Sequence, residues 1–161
     1  MLKTITHKLT IGDSKFGKGI FTNVRIAKGA EIFTFTGNPL SFDDAVKLGD
    51  DQCYALQVER FKYIMLETPF GYVNHSCDPN CGLKDSTKLI AIKNIDAGEE
   101  LFYDYSTTML ERHWTMQCDC KSPNCRQIVD DFDKLSIATK EYYLSLNVVP
   151  AFIIKSLHDN N

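Results

Sequence analysis

The stretch "GYVNHSCDPNCGL" (Gly71–Leu83) places Asn74, His75, Ser76, Cys77 and Cys81 within eight positions. Side chains of these kinds can bind a metal, cap a turn or take part in chemistry, so their meaning depends on what they meet elsewhere in the chain. Further on, Cys118, Cys120 and Cys125 form Cys-x-Cys-x-x-x-x-Cys within "QCDCKSPNCR". Three thiolates this close in a polar loop repel one another unless a cation neutralises them. Zinc takes four sulfur or nitrogen ligands in a tetrahedron, so this loop supplies three and needs a fourth from elsewhere. Spacing leaves Cys77 and Cys81 as candidates for the fourth, with His75 and His113 behind them. Cys53 sits inside an apparent strand and reads as a small core residue.

The chain has 161 residues, 43% hydrophobic and 24% charged, which suits one soluble domain able to bury its own core. No apolar run approaches the ~20 residues of a membrane span. The N-terminus "MLKTITHKLT" lacks the apolar core of a secretory signal. Six cysteines without such a signal suggest a reducing intracellular compartment, nucleus or cytoplasm, where clustered thiols bind metal more often than they form disulfides. A net charge of −3 argues against a broad nucleic-acid-binding face and makes a basic peptide the easier partner.

Short apolar or alternating segments dominate the first two thirds. Ile5–Thr10, Gly19–Thr22, Glu31–Phe35, Tyr54–Val58, Tyr63–Leu66, Leu89–Lys93 and Leu101–Tyr103 read as strands. Ser41 followed by "FDDAVKLG" reads as one short helix, with Ser41 as N-cap and Gly49 as stop. "IAKGAE" and "IDAGEE" read as tight turns with glycine before a strand. After Cys125, "DFDKLSIATKEYYLSL" has helical spacing, with Leu135, Tyr142, Leu144 and Leu146 as expected core contacts. "VVPAFIIKSL" reads as a second short helix or an extended segment packed on the body.

Taken together, "NHSCDPN" (Asn74–Asn80), "GEELFYDYS" (Gly98–Ser106) and "CDCKSPNCR" (Cys118–Arg126) resemble, in order and spacing, the SET-domain lysine methyltransferases with a post-SET zinc loop. "SKFGKGIFT" (Ser14–Thr22) resembles the family's first glycine-containing motif, and "CYALQV" (Cys53–Val58) the strand whose tyrosine approaches the cofactor. The resemblance runs from Ser14 to about Val129. It implies a mainly β fold of the SET (β-clip) type, in which a C-terminal strand segment threads beneath a loop as a pseudoknot. The implied organisation is a SET domain over residues 1–115, a post-SET zinc loop over 116–129 and a C-terminal helical extension over 130–161. That threading would bring "NHSC" beside "YDY".

The resemblance also implies S-adenosylmethionine as methyl donor and a lysine in a histone tail or another basic protein segment as acceptor. Transfer from a sulfonium to an amine is a direct displacement that needs a neutral amine in line with the methyl carbon. Alignment and desolvation can supply most of the catalysis, so no strong general base is required. By resemblance, Tyr105 is the catalytic tyrosine, orienting the amine. Tyr103 falls where the family has Phe or Tyr and limits room around the amine, implying mono- or dimethylation. Phe16, Gly17, Lys18 and Tyr54 would line the cofactor, and Asn74 and His75 would hold it mainly through backbone groups. Cys77 would join Cys118, Cys120 and Cys125 on zinc. Phe35, Tyr103 and Ile128 would belong to the lysine channel, with Arg126 in the loop that covers the site.

Departures from the pattern include Gly71 and Tyr72 near the place of a frequent Arg-Phe, and Phe35 where many members carry tyrosine. The segment between Tyr54 and Asn74, which helps bind substrate in the family, is short. The chain is expected to be a monomer or a homodimer. An alternative reading of its function is a catalytically inactive, zinc-stabilised protein-binding module on the same fold. Retention of both tyrosines, Asn74 and the cysteines argues against it.

Overall fold

The computed structural model describes residues 3–6 and 8–159. Its strands in chain order are β1 (Lys3–Thr6), β2 (Leu9–Ser14), β3 (Gly17–Thr22), β4 (Glu31–Thr34), β5 (Gly37–Ser41), β6 (Ala55–Glu59), β7 (Lys62–Leu66), β8 (Asn74–His75), β9 (Cys81–Lys84), β10 (Lys88–Ala91), β11 (Phe102–Tyr103), β12 (Met116–Gln117) and β13 (Ile128–Val129). Helices are α1 (Phe42–Val46), α2 (Ile137–Ser145) and α3 (Ala151–Asp159), joined by several single 3-10 turns. The fold is mainly β, as expected.

Five small sheets share the work: β1-β2-β3, β4-β10-β9 and β5-β7-β6, with the two-stranded pairs β11-β8 and β12-β13. Among the described residues, all strand pairings are antiparallel except one. β8 and β11 run parallel, with Asn74 opposite Phe102 and Tyr103 opposite His75. The approach to β11 is also bonded to β3: Thr22 N donates to Glu99 O at 3.0 Å, and Leu101 N to Ile20 O at 2.8 Å. On the other side, the Asn80 side chain donates to Glu100 O and accepts from Phe102 N. Segment 98–103 is therefore held by β3 on one side and by β8 and its following turn on the other, which sets "NHSC" beside "YDY".

The expected turns at Gly29 and Gly98 have φ of +88° and +92°, the left-handed backbone that glycine adopts without a Cβ penalty. Their flanks pair with each other through the antiparallel bridge Ile26–Ile95. Ser41 caps α1, its side chain accepting from Asp44 N, and the helix ends before Gly49. Three expectations need correction. The single strand over Ile5–Thr10 is instead two strands in a hairpin, β1 and β2, with Thr6 opposite Leu9; His7 between them lies outside the described residues. The strand expected from Tyr54 begins at Ala55, because Gly49–Tyr54 closes as 3-10 turns. Cys53 lies in that segment and is half-buried rather than a strand core residue.

One buried cluster, including Leu9, Ile20, Leu56, Leu83, Leu89, Ile95 and Leu101, fills the space between the sheets. A second comprises Ile92, Phe132, Leu135, Tyr143, Val148, Val149 and Ile153, so the C-terminal segment packs on the body through Ile92. Here the expected contacts shift. Leu135 is buried and Leu146 packs against the cluster, but Tyr142 and Leu144 are exposed and Tyr143 points inward. In α2 only Tyr143 is buried, so a spacing argument built on several apolar positions picked the wrong tyrosine. α3 begins just after Pro150, whose carbonyl accepts from Ile153 and Ile154, so the helical option for "VVPAFIIKSL" holds.

Candidate active site and metal centre

A cleft of about 290 Å³ gathers residues from five parts of the chain. Phe16, Gly17 and Lys18 come from the β2–β3 hairpin, Cys53 and Tyr54 from the 3-10 segment, Asn74 and His75 from β8, Tyr105 from the turn after β11, and Met116 to Asp119 from the cysteine loop. All six residues expected to line a cofactor are among them. Gly17 has φ +100°, which explains a glycine at the hairpin tip. Gly71 also lines the cleft, and a Cβ there would lie 2.9 Å from the Tyr54 ring, so its absence lets that ring close one wall.

Asn74 and His75, expected to hold a cofactor mainly through backbone groups, use their side chains to brace the scaffold. The Asn74 amide donates to Lys18 O and Glu100 Oε1, both at 2.8 Å, tying β8 to the hairpin. The Lys18 ammonium pairs with Asp13, leaving backbone as its contribution to the cleft. His75 is buried, and desolvation, helped by the Arg126 charge and opposed by Asp104, lowers its pKa to about 4. It is therefore neutral at pH 7. Its Nδ1 accepts from Tyr105 N at 3.2 Å, so the proton sits on Nε2, which faces Cys77 Sγ at 3.3 Å.

Across Tyr105 lies a second, much narrower space of about 20 Å³, the scale of one water molecule. Tyr103, Tyr105, Trp114, Met109, Cys53 and Ala55 line it, with Gln52, Gln57, Tyr63, Thr108 and Glu111 completing the wall. Cys53 and Tyr105 border both spaces. The Tyr103 and Tyr105 rings are 4.7 Å apart. Tyr105 donates its hydroxyl to Val73 O at 2.9 Å, and burial, together with the neighbouring Tyr103, pushes its pKa well above the ordinary phenol value. Both phenols are thus neutral, and burial is the main cause for Tyr103 as well. Glu111 is buried in the same wall, accepting from Tyr63 Oη at 2.7 Å and from Gln52 Nε2 at 2.9 Å, with its pKa raised by desolvation.

Phe35 does not line this slot. It is buried behind it, its ring centroid 6.0 Å from that of Tyr103. Ile128 lies on β13, exposed and bordering neither space. Sequence reasoning missed Gln52, Trp114, Glu111 and Met116 as lining residues, because nothing in their local spacing distinguishes them from ordinary structural side chains.

The sulfurs of Cys77, Cys118, Cys120 and Cys125 all lie within 4.8 Å of one another. Cys77 to Cys118 and Cys118 to Cys125 are each 3.8 Å. A tetrahedral ion with ~2.3 Å metal–sulfur bonds has sulfur–sulfur edges of about 3.8 Å, so the donor set and spacing fit zinc. Cys81 is fully buried on β9 and takes no part. Burial pushes the Cys77 thiol up to about 11 and raises Cys118 too, so a bound cation would be what draws these thiols to thiolates. Lys15 ties the β2–β3 hairpin to the cysteine loop, its ammonium bonding the Asp119 carbonyl and, at 2.8 Å, the Asp119 carboxylate.

Residues 17–106 match the family model described as the SET domain. The chain belongs to the SET-domain family. Histone-lysine N-methyltransferase ash1 of Drosophila melanogaster is 29% identical over 144 residues, covering 76% of this chain and 6% of the relative. Histone-lysine N-methyltransferase set1 of Dictyostelium discoideum is 41% identical over 66 residues, covering 37% of this chain and 4% of that one. A crystal structure of an active polycomb repressive complex 2 in the basal state is similar at TM-score 0.53 and 27% identity, covering 60% of this chain and 15% of that chain. The chain therefore spans a small fraction of the length of these relatives. Among the described residues, no helix is long and apolar enough to cross a membrane.

Proposed function

We propose that the chain is an S-adenosylmethionine-dependent protein-lysine N-methyltransferase with a structural zinc ion. Its acceptor is a lysine in a histone tail or another basic segment, methylated once or twice, and its place of work is the nucleus or cytoplasm. One observation carries this reading: a roomy cleft and a narrow aromatic slot share Tyr105, so two ligands entering separately would meet at one phenol. The names of the family relatives point to the same reaction.

S-adenosylmethionine, bound in the wide cleft, supplies the methyl group. Phe16, Gly17, Lys18, Tyr54, Asn74 and His75 line its place. The slot as it stands has room for about one water, so its walls would part to admit a lysine, strip water from it and favour its neutral amine, whose free pKa is ~10.4. Tyr105, anchored on Val73, leaves its oxygen lone pairs to orient the amine and the transferring methyl. The Tyr103 hydroxyl makes no hydrogen bond among the described residues and lines the slot, where it restricts space for added methyl groups. Zinc on Cys77, Cys118, Cys120 and Cys125 fastens residues 116–119 against the cofactor cleft.

The test is methyl incorporation from labelled S-adenosylmethionine into histones and basic peptide arrays, read by mass spectrometry. Lysine labelling well above that of Tyr105→Phe is expected. Labelling no higher than that variant's on every substrate would overturn the reading.

A further inference from the structure

Between the two slot tyrosines stands Asp104, 1% exposed. A buried carboxylate must have its lone pairs filled, and here the donors come from three separate parts of the chain. Its Oδ1 accepts from the Ser106 amide at 3.1 Å and from Arg126 Nη2 at 2.7 Å. Its Oδ2 accepts from the Tyr143 hydroxyl at 2.8 Å. His75 Nδ1, 3.5 Å from Oδ1, donates nothing, because it already accepts the Tyr105 amide. Ser106 belongs to the tyrosine turn itself, capped by Asp104. Arg126 follows the last cysteine of the metal loop, and its own amide donates to Cys77 Sγ at 3.4 Å. Tyr143 is 2% exposed on α2, well outside residues 17–106 that match the family model.

We propose that Tyr143 is a positioning residue for the tyrosine turn: through Asp104, the C-terminal helix helps set the placement of Tyr103 and Tyr105 and the seating of the cysteine loop. The inference rests on the methyltransferase reading for its kinetic consequence, but not for its structural one. Arg126 and Tyr143 take the two oxygens of one carboxylate, so each holds it where the other can reach it. Removing either donor leaves a buried charge short of a partner, and the cheapest relief is for Asp104 to turn toward what remains. Asp104 is one peptide from both slot phenols, so any such turn moves them. In-line methyl transfer is sensitive to ~1 Å misplacement, enough to cost about a hundredfold in rate.

The decisive variant is Tyr143→Phe in the full chain, which keeps the ring in the second core and removes only the donor. Hydrogen exchange by mass spectrometry should quicken in peptides covering 104–108 and 118–127, while β2 and β3 stay as protected as before. The kcat for lysine methylation should fall about tenfold, an increase of ~1.4 kcal/mol in the barrier. In an Asp104→Asn background the same substitution should cost nothing further in kcat, since the charge through which it acts is gone. Arg126→Lys serves as a second background should Asp104→Asn not fold, with a combined loss smaller than the product of the single ones. Exchange that quickens evenly along the chain, or equal kinetic losses in every background, would overturn the proposal. A wild-type chain without methyl transfer would instead overturn the methyltransferase reading and leave the exchange pattern to decide the coupling.

Discussion

Tyr105 is held at both ends of the residue: its amide donates to His75 Nδ1 and its hydroxyl to Val73 O. Tyr105→Phe removes only the hydroxyl, so the fold should survive with a small loss in Tm. The kcat should fall about a hundredfold, the scale found when one preorganised polar group is taken from a reacting centre. Tyr103 differs, because among the described residues its hydroxyl makes no hydrogen bond, and the residue borders the narrow slot. Tyr103→Phe should therefore leave overall rate comparable while shifting products toward di- and trimethyl-lysine, scored by intact-peptide mass spectrometry. An unchanged product distribution would show that another residue limits the space. These two aromatic positions were legible in "YDY". Glu111 and Trp114 were not, since their membership in the slot depends on chain crossings that no local spacing records.

The cysteine loop and the C-terminal segment act as elements. Cys77→Ser should lower bound zinc and weaken cofactor binding, because residues 116–119 form part of the cleft wall. Cys81→Ser should leave the metal content near that of the parent, measured by elemental analysis, although it buries a hydroxyl within β9 and should lower Tm. Sequence spacing alone left these two cysteines in contest; the structure separates them by position, since the Cys77 sulfur lies within 4.8 Å of the loop's three and Cys81 sits apart from them on β9. The C-terminal segment seats Val148 directly over Gly82, where a Cβ would lie 2.7 Å from Val148 Cγ1. Gly82→Ala should destabilise the chain by about 1–3 kcal/mol, read as a lower denaturant midpoint with an unchanged slope. Within α2, apolar spacing was a poor guide for a different reason. Its one buried residue, Tyr143, was chosen by a polar partner, Asp104, as much as by an apolar face.

At the scale of the whole molecule, two cores meet at β10 and the turn after it, the second contributed almost wholly by residues beyond the cysteine loop. Ending the chain at Val129 would uncover Ile92 and leave Asp104 without Tyr143. The truncated protein should aggregate, or melt more than about 10 °C below the full chain in calorimetry, with methyl transfer lost alongside. A truncated chain that melts normally would show the C-terminal segment to be dispensable. The sequence by itself determined the β-rich class, the glycine turns at 29 and 98, the capped helix after Ser41 and three clustered cysteines on one loop, because each rests on local backbone or spacing chemistry. Its likeness to a family pointed further, to Cys77, Tyr103, Tyr105 and the cofactor-lining set. Only the tertiary structure decided that β8 and β11 lie side by side, that Cys77 rather than Cys81 meets the loop, that Phe35 and Ile128 stand away from the slot, and that Tyr143 reaches Asp104. Those facts arise from parallel pairing and burial between segments tens of residues apart, and no local pattern of side chains encodes which distant backbone will lie alongside.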